Sequence, residues 1–186
     1  MSENSTQQWF NLENRFFAEV DQKLIEKMRE SVRHADQAKA IMQLTGITSQ
    51  ALADEIAALN ITPDTLAAFR LAPLVVIGWA DDRMEENERY AILLAAEQAG
   101  IRKDSPAMEV LQTWTSRRPN EDLFHAWCDY AKSLARSLNE AQRETLRLET
   151  LRHAKDVAKA AGGVLMFGSV SASEARVLEQ IEAALS

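Results

Sequence analysis

Five carboxylates fall within the eight residues DDRMEENE, and no other stretch of this chain is as well suited to bind a cation. They are Asp81, Asp82, Glu85, Glu86 and Glu88. Hard divalent cations such as Ca²⁺ and Mg²⁺ are bound by clustered carboxylate oxygens. An EF-hand loop starting at Asp81 is excluded, because Arg83 and Ile92 would fall at ligand positions three and twelve.

Two interpretations of these carboxylates remain open. In the favoured, structural one, Asp81 or Asp82 caps the next helix and the glutamates stabilise the positive end of its dipole. In the other, the stretch is a metal site for Ca²⁺ or Mg²⁺ whose ligands are Asp81, Asp82, Glu85 and Glu88.

A second motif with chemical potential is the glycine-rich segment Gly162–Ser169, which has the glycine spacing of a phosphate-binding loop. A P-loop requires Lys and then Ser or Thr after its last glycine, whereas this chain has Ser169 and Val170 there. We therefore interpret these glycines as residues that allow close helix packing, and we predict no cofactor-binding residue.

His125 and Cys128 lie on one face of a predicted helix, where two zinc ligands could stand. A zinc site needs two further ligands of comparable quality, and His34 and His153 belong to distant segments. No Cys beside a base and no Ser in a sharp strand-to-helix turn is recognisable either. The sequence thus predicts no catalytic residue.

The element before the acidic stretch, LAPLVVIGW, is too short for periodicity alone to separate a buried helix from a strand. An internal repeat decides, since a shift of 86 residues lays PLVVIGWADDRMEENERYAILLAAEQA over KAAGGVLMFGSVSASEARVLEQIEAAL. The second of these begins in a segment rich in helix formers. We therefore predict two helix-turn-helix units, Leu71 to Ala80 with Glu86 to Ala99 and Leu148 to Phe167 with Ala172 to Leu185.

The two units differ at the turn between their helices. Ser171 and Glu174 form an S-x-x-E capping box, whereas the equivalent pair in the first unit is Glu85 and Glu88. Phe167 and Gly168 replace the two aspartates of the first unit. We therefore expect any divalent cation to bind at the first turn only.

Both units resemble a pattern in which an apolar helix ending in Ala-Asp-Gly is followed by a few variable residues, a Glu and an alanine-rich helix. The segments LAPLVVIGWADDRMEENERYAILLAAEQAGI and AKAAGGVLMFGSVSASEARVLEQI resemble the two halves of a TerB-like domain, from the tellurite resistance protein TerB family. The resemblance covers roughly residues 71 to 185. Asp82 stands where the family has Gly, and Asp tolerates a left-handed turn better than most residues do.

The resemblance implies an all-α fold, a TerB-like helical bundle of two repeated helix-turn-helix units with an N-terminal helical extension. TerB-like domains are linked to tellurite and other stress responses and are suspected of binding divalent metal, without an established catalytic activity. We therefore expect a non-enzymatic binding or adaptor module in a stress response. The alternative is a divalent-metal-dependent enzyme or enzyme subunit of unknown reaction.

The composition is typical of one helical domain, and the net charge argues against one class of partner. The chain has 186 residues, few of them Gly or Pro, and a formal net charge of −7. An acidic chain repels phosphate backbones, which argues against a nucleic-acid partner.

The longest apolar run, residues 71 to 80, is about half of the roughly 20 residues that a membrane span needs, and MSENSTQQWF lacks signal-peptide features. We expect a cytoplasmic protein.

We predict an N-terminal helical arm in residues 1–46. Apolar residues recur there at steps of three or four, and no Pro or Gly lies between Ser5 and Gly46. Such a helix would span on the order of 55 Å. We expect a kink near Ser31 to His34 with both halves packed on the core. The alternative is projection towards a protein partner or a second molecule of this chain.

Two short helices are predicted in residues 47–70, between the arm and the TerB-like domain of residues 71–186. Ser49 is positioned to cap the first of them, and Pro63 would be the first helical residue of the second. Ile61 lies one residue before the second cap, where a hydrophobic staple would place it.

Overall fold

The computed structural model describes the backbone of residues 3–161 and 170–186, and the side chains of residues 22–160 and 170–186. Every regular element in these residues is an α-helix, so the predicted all-α class is confirmed there. The helices are α1 (Glu3–Thr45), α2 (Gln50–Ala58), α3 (Leu66–Arg70), α4 (Ala72–Gly78), α5 (Glu86–Gln98), α6 (Pro106–Ser116), α7 (Asp122–Ser137), α8 (Glu140–Ala161) and α9 (Ala172–Leu185). None of the helices in the described ranges is both long and apolar enough to cross a membrane.

The chain divides into two compact units, residues 1–36 and residues 37–186, with the boundary inside α1. In the first unit, residues 31 to 34 are helical like their neighbours. The predicted kink in the helix axis near Ser31 to His34 stays a prediction. Four large apolar side chains of this unit are 48–63% exposed, namely Leu24, Ile25, Met28 and Val32. The helix ends at Thr45, and Gly46 follows with a φ of 74°, as the sequence predicts.

In the second unit, α4 is the central helix and packs against α5 to α9 and α3. Its residues Leu74, Val75 and Ile77 are fully buried, which confirms that the LVVIG part of LVVIGW is a buried helix and not a strand; Trp79 is the capping residue at its end. Val76 and Trp79 are half-buried at one side. Gly78 is buried as well, and a Cβ there would lie 2.9 Å from the Met84 side chain, so the residue permits a close approach of the following turn.

The two predicted helix pairs pack on each other reciprocally. Helix α4, the first helix of the first pair, contacts α9, the second helix of the second pair. Helix α5, the second helix of the first pair, contacts α8, the first helix of the second pair. The second pair differs from the prediction at its start, because α8 begins at Glu140 and not at Leu148. Asn139 and Gln142 explain the difference, since each side chain accepts a hydrogen bond from the other residue's backbone N–H, at 2.9 and 3.1 Å. Residues 162–167, the predicted end of this helix, lie outside the described residues.

The two short helices start differently from each other. Ser49 caps α2 as predicted, and its hydroxyl accepts a hydrogen bond from the Leu52 N–H at 3.3 Å. The prediction for the next helix is wrong, because Pro63 lies in a turn and α3 begins only at Leu66. The Thr65 hydroxyl accepts a hydrogen bond from the Thr62 N–H at 2.8 Å, which stabilises this turn before the helix.

Candidate functional site

The acidic turn, residues 79–88, connects α4 with the first residues of α5. The backbone N–H of Asp82 donates to the carbonyl of Trp79 at 3.0 Å, and Asp82 has a φ of 67°. It therefore adopts the left-handed conformation that a glycine would adopt most easily. The carboxylate of Asp81 accepts a hydrogen bond from the Arg83 N–H at 3.1 Å, which fixes the tip of the turn.

The carboxylate of Asp82 is directed away from the turn and pairs with the guanidinium of Arg118. Arg118 lies in the segment between α6 and α7, so this ion pair joins the acidic turn to a distant part of the chain. The Asp82 side chain is 83% exposed. Exposed ion pairs contribute little to stability, so this pair adds little to the free energy of unfolding.

Glu88 is the one buried residue among the five carboxylates, with 3% of its surface exposed. Its Oε2 accepts a hydrogen bond from the backbone N–H of Glu85, the residue that caps α5, at 2.8 Å. Burial raises the pKa of the Glu88 carboxyl to about 7, the hydrogen bond from Glu85 opposes this shift, and the charges of Asp81, Glu174 and Glu85 add to it. Glu88 therefore gains or loses its proton near neutral pH.

Glu174 occupies the equivalent position in the second helix pair and makes the equivalent contact. Its Oε2 accepts a hydrogen bond from the Ser171 N–H at 2.5 Å, and the Ser171 hydroxyl accepts one from the Glu174 N–H at 3.2 Å. The predicted capping box is thus confirmed. Glu174 is 7% exposed and lies close enough to raise the pKa of Glu88, a proximity that the sequence reasoning missed.

The structure separates the four predicted metal ligands by role. Asp81 and Asp82 are exposed, Glu85 is half-buried, and Glu88 is buried at the helix start. Neither aspartate caps α5, so that expectation is wrong: the cap is Glu85, whose backbone is extended, whereas the side chain of Asp81 is engaged within the turn. Within residues 22–160 and 170–186, no three or more His, Cys, Asp and Glu side chains are grouped to hold a metal ion. Metal binding at this turn stays a prediction.

A groove of about 260 Å³ lies beside the acidic turn, between α4, α9 and the segment leading into α7. Its apolar surface comes from Val76, Trp79, Phe124 and Val177, and Arg118 lines it as well. The Trp79 indole N–H donates to the carbonyl of Trp114 at 2.8 Å, which fixes the ring. Because Arg118 also pairs with Asp82, the groove and the acidic turn form one continuous surface.

Two other candidate residues from the sequence, His125 and Cys128, lie on α7. His125 is exposed at the groove, and Cys128 is half-buried one helical turn further along α7. Burial raises the pKa of the Cys128 thiol to about 11, so the thiol is protonated near neutral pH. The segment Gly162–Ser169 lies outside the described residues.

No protein-family model matches this chain, and no curated protein and no solved structure matches it either. The TerB-like resemblance thus rests on the residues quoted for it.

Proposed function

We propose that this protein is a non-enzymatic helical binding module whose recognition surface is formed by the acidic turn and the adjoining groove. The observation that carries the proposal is the position of Arg118, which lines the groove and pairs with Asp82 of the turn. An apolar floor with a few charged groups at its edge is the usual composition of a binding site.

The ionisable groups of the turn and groove favour binding over catalysis. Cys128, with a thiol pKa of about 11, is a poor nucleophile at neutral pH. Glu88 has a carboxyl pKa of about 7, which suits a general acid or base, but it is 3% exposed and is engaged with the backbone of Glu85. The capping contact gives its perturbed pKa a structural explanation.

The cation that we propose for the acidic turn is Ca²⁺ or Mg²⁺. Supporting this, the charges of Asp81, Glu85 and Glu174 all raise the pKa of Glu88, so the potential around its carboxyl is negative. A divalent cation at Asp81, Asp82, Glu85 and Glu88 would relieve this repulsion. We also propose that the protein is a member of the TerB-like group and has a role in tellurite or another stress response.

We place a second contact, with a protein partner or a second molecule of this chain, on the exposed apolar face of α1. Leu24, Met28 and Val32 recur at steps of four residues there and are 56–63% exposed. Contiguous exposed apolar surface on a helix is typical of an interaction site.

Calorimetric titration with Ca²⁺, Mg²⁺, Mn²⁺ and Zn²⁺ tests the proposal for the acidic turn. The wild type should bind Ca²⁺ or Mg²⁺, and the double variant Asp81→Asn with Asp82→Asn should not. Both side chains are exposed and Asn tolerates the left-handed conformation of residue 82, so the fold should be unchanged.

The matched control is the double variant Asp129→Asn with Asp156→Asn, which removes the same charge from exposed positions on α7 and α8. It should bind the cation as the wild type does. If both double variants lost binding equally, the loss would follow from the change in net charge. That result would contradict a site at the turn.

The arm has its own test, in which Leu24 and Met28 are replaced by Gln, a good helix former. Light scattering should show a lower molecular mass for this variant than for the wild type. The control replaces Glu26 and Arg29 by Gln on the opposite side of α1 and should keep the wild-type mass. A wild type that is monomeric at all concentrations would contradict self-association through α1.

A further inference from the structure

A second cavity, of about 250 Å³, is lined by residues of α3, α7, α8 and α9 and by Thr45 at the end of α1. It shares no lining residue with the groove beside the acidic turn. Its apolar surface includes Ala131, Leu134, Leu146 and Leu185. A volume just below the roughly 300 Å³ at which pockets for drug-sized ligands begin suits a small molecule.

The first polar group at this cavity is the guanidinium of Arg70, the last residue of α3. Arg70 is exposed, and it takes part in none of the ion pairs formed among the described side chains. A guanidinium presents several N–H donors in one plane and binds carboxylates through two parallel hydrogen bonds. Its charge is therefore free to meet an anion at the edge of the cavity.

Trp127 and Tyr130 supply two further polar atoms. These residues are 4% and 3% exposed, yet the structure gives neither the indole N–H nor the phenol oxygen a hydrogen-bond partner among the described residues. Both residues line the cavity, so we expect their polar atoms to lie within reach of a ligand there.

These three groups select one kind of ligand atom. Arg and Trp side chains can only donate hydrogen bonds, and a Tyr hydroxyl can donate one as well. A ligand that satisfies all three must bring acceptors, and the charge of Arg70 favours a negative group. The leucines and Ala131 favour an apolar body behind it.

From this arrangement we infer that the cavity binds a small apolar monocarboxylate, with its carboxylate at Arg70 and its hydrocarbon body against Leu134, Leu146 and Leu185. The indole N–H of Trp127 and the hydroxyl of Tyr130 donate to the carboxylate oxygens as the ligand enters. This site is separate from the acidic turn, so it stands whether or not the turn binds a cation.

Titration of the full chain with octanoate, followed by NMR and calorimetry, tests the inference. Octanoate should bind, and it should shift the indole N–H signal of Trp127 more than the signals of Trp79 and Trp114. The variant Arg70→Gln should bind octanoate about tenfold more weakly, which is the effect of losing a charged hydrogen-bond pair. Neutral octanamide should bind the wild type and this variant equally.

The matched control is Arg136→Gln, which removes an exposed arginine in the last turn of α7 that does not line the cavity. It should bind octanoate as the wild type does. The inference is overturned if octanoate does not bind at millimolar concentration. Equal losses in the two arginine variants, or a Trp127 signal that does not move, would also overturn it.

Discussion

The two turns that precede α5 and α9 fix the start of their helices by the same contact but surround it with different charges. Glu88 and Glu174 are both buried, and each accepts a hydrogen bond from the backbone N–H of its capping residue. The capping residue is Glu85 in one turn and Ser171 in the other. A buried glutamate at this position is therefore common to both helix pairs, whereas the exposed acids are a property of the first turn alone.

This comparison separates structure from function within one acidic stretch. Glu88 has a counterpart with the same contact, so capping explains it without a ligand. The equivalents of Asp81 and Asp82 in the second repeat are Phe167 and Gly168. Capping does not account for the two aspartates, which is why the proposed function depends on them.

The largest effect that we expect concerns the pH dependence of stability. The pKa of Glu88 is about 7 in the folded protein and about 4.5 as its ordinary value, so the folded state holds the proton more tightly. The extra stability that the folded protein gains from holding this proton is fully present below pH 4.5. It is lost as the pH rises through 7. The loss is on the order of 3 kcal/mol, because each pH unit between the two pKa values corresponds to about 1.36 kcal/mol.

Denaturation in urea between about pH 5 and pH 8 measures this loss, and Glu88→Gln should remove most of it. Glu174→Gln should leave a smaller pH dependence, because it removes one of the charges that raise the pKa of Glu88. If the wild type and Glu88→Gln lost stability in parallel, another group would be responsible.

A smaller effect distinguishes the two capping residues. Ser171→Ala should lower the free energy of unfolding by about 1 kcal/mol, because the hydroxyl caps the Glu174 N–H. Glu85→Ala should cost clearly less, since Glu is a poor capping residue and its backbone N–H, which bonds Glu88, is retained. Thermal or urea unfolding of both variants makes the comparison, and equal losses would contradict a difference between the caps.

The smallest effect is expected at the ion pair between the turn and the groove. Arg118→Gln should change the free energy of unfolding by less than about 0.5 kcal/mol, because both partners are exposed. The same substitution should weaken any ligand of the groove. A large stability loss would mean that Arg118 holds the fold together, and its proposed role in recognition would then lack support.

The fold was largely predictable because its signals are local. The repeat identified LVVIGW as a helix, and Ser49, Gly46 and the Ser171–Glu174 pair marked helix ends through backbone chemistry that neighbouring residues decide. The start of α8 was missed because the Asn139–Gln142 cap was overlooked. Pro63 was assigned to a helix because proline suits turns as well as first helical positions.

The candidate site was less predictable because its decisive contacts join distant segments. The pairing of Asp82 with Arg118 spans 36 residues, and no periodicity indicates it. The proximity of Glu88 to Glu174 follows from how the two helix pairs pack, which the repeat implies only once the packing is known. Burial of Glu88 was equally invisible in a stretch of charged residues.

NMR titration of the ¹⁵N-labelled protein with Ca²⁺ and Mg²⁺ decides whether the first turn binds a cation and the second does not. We predict saturable shifts of the backbone signals of residues 79–88, with those of residues 171–178 moving little. Shifts of similar size in both turns, or none in the first turn at millimolar cation, would contradict a cation site that belongs to the first turn alone.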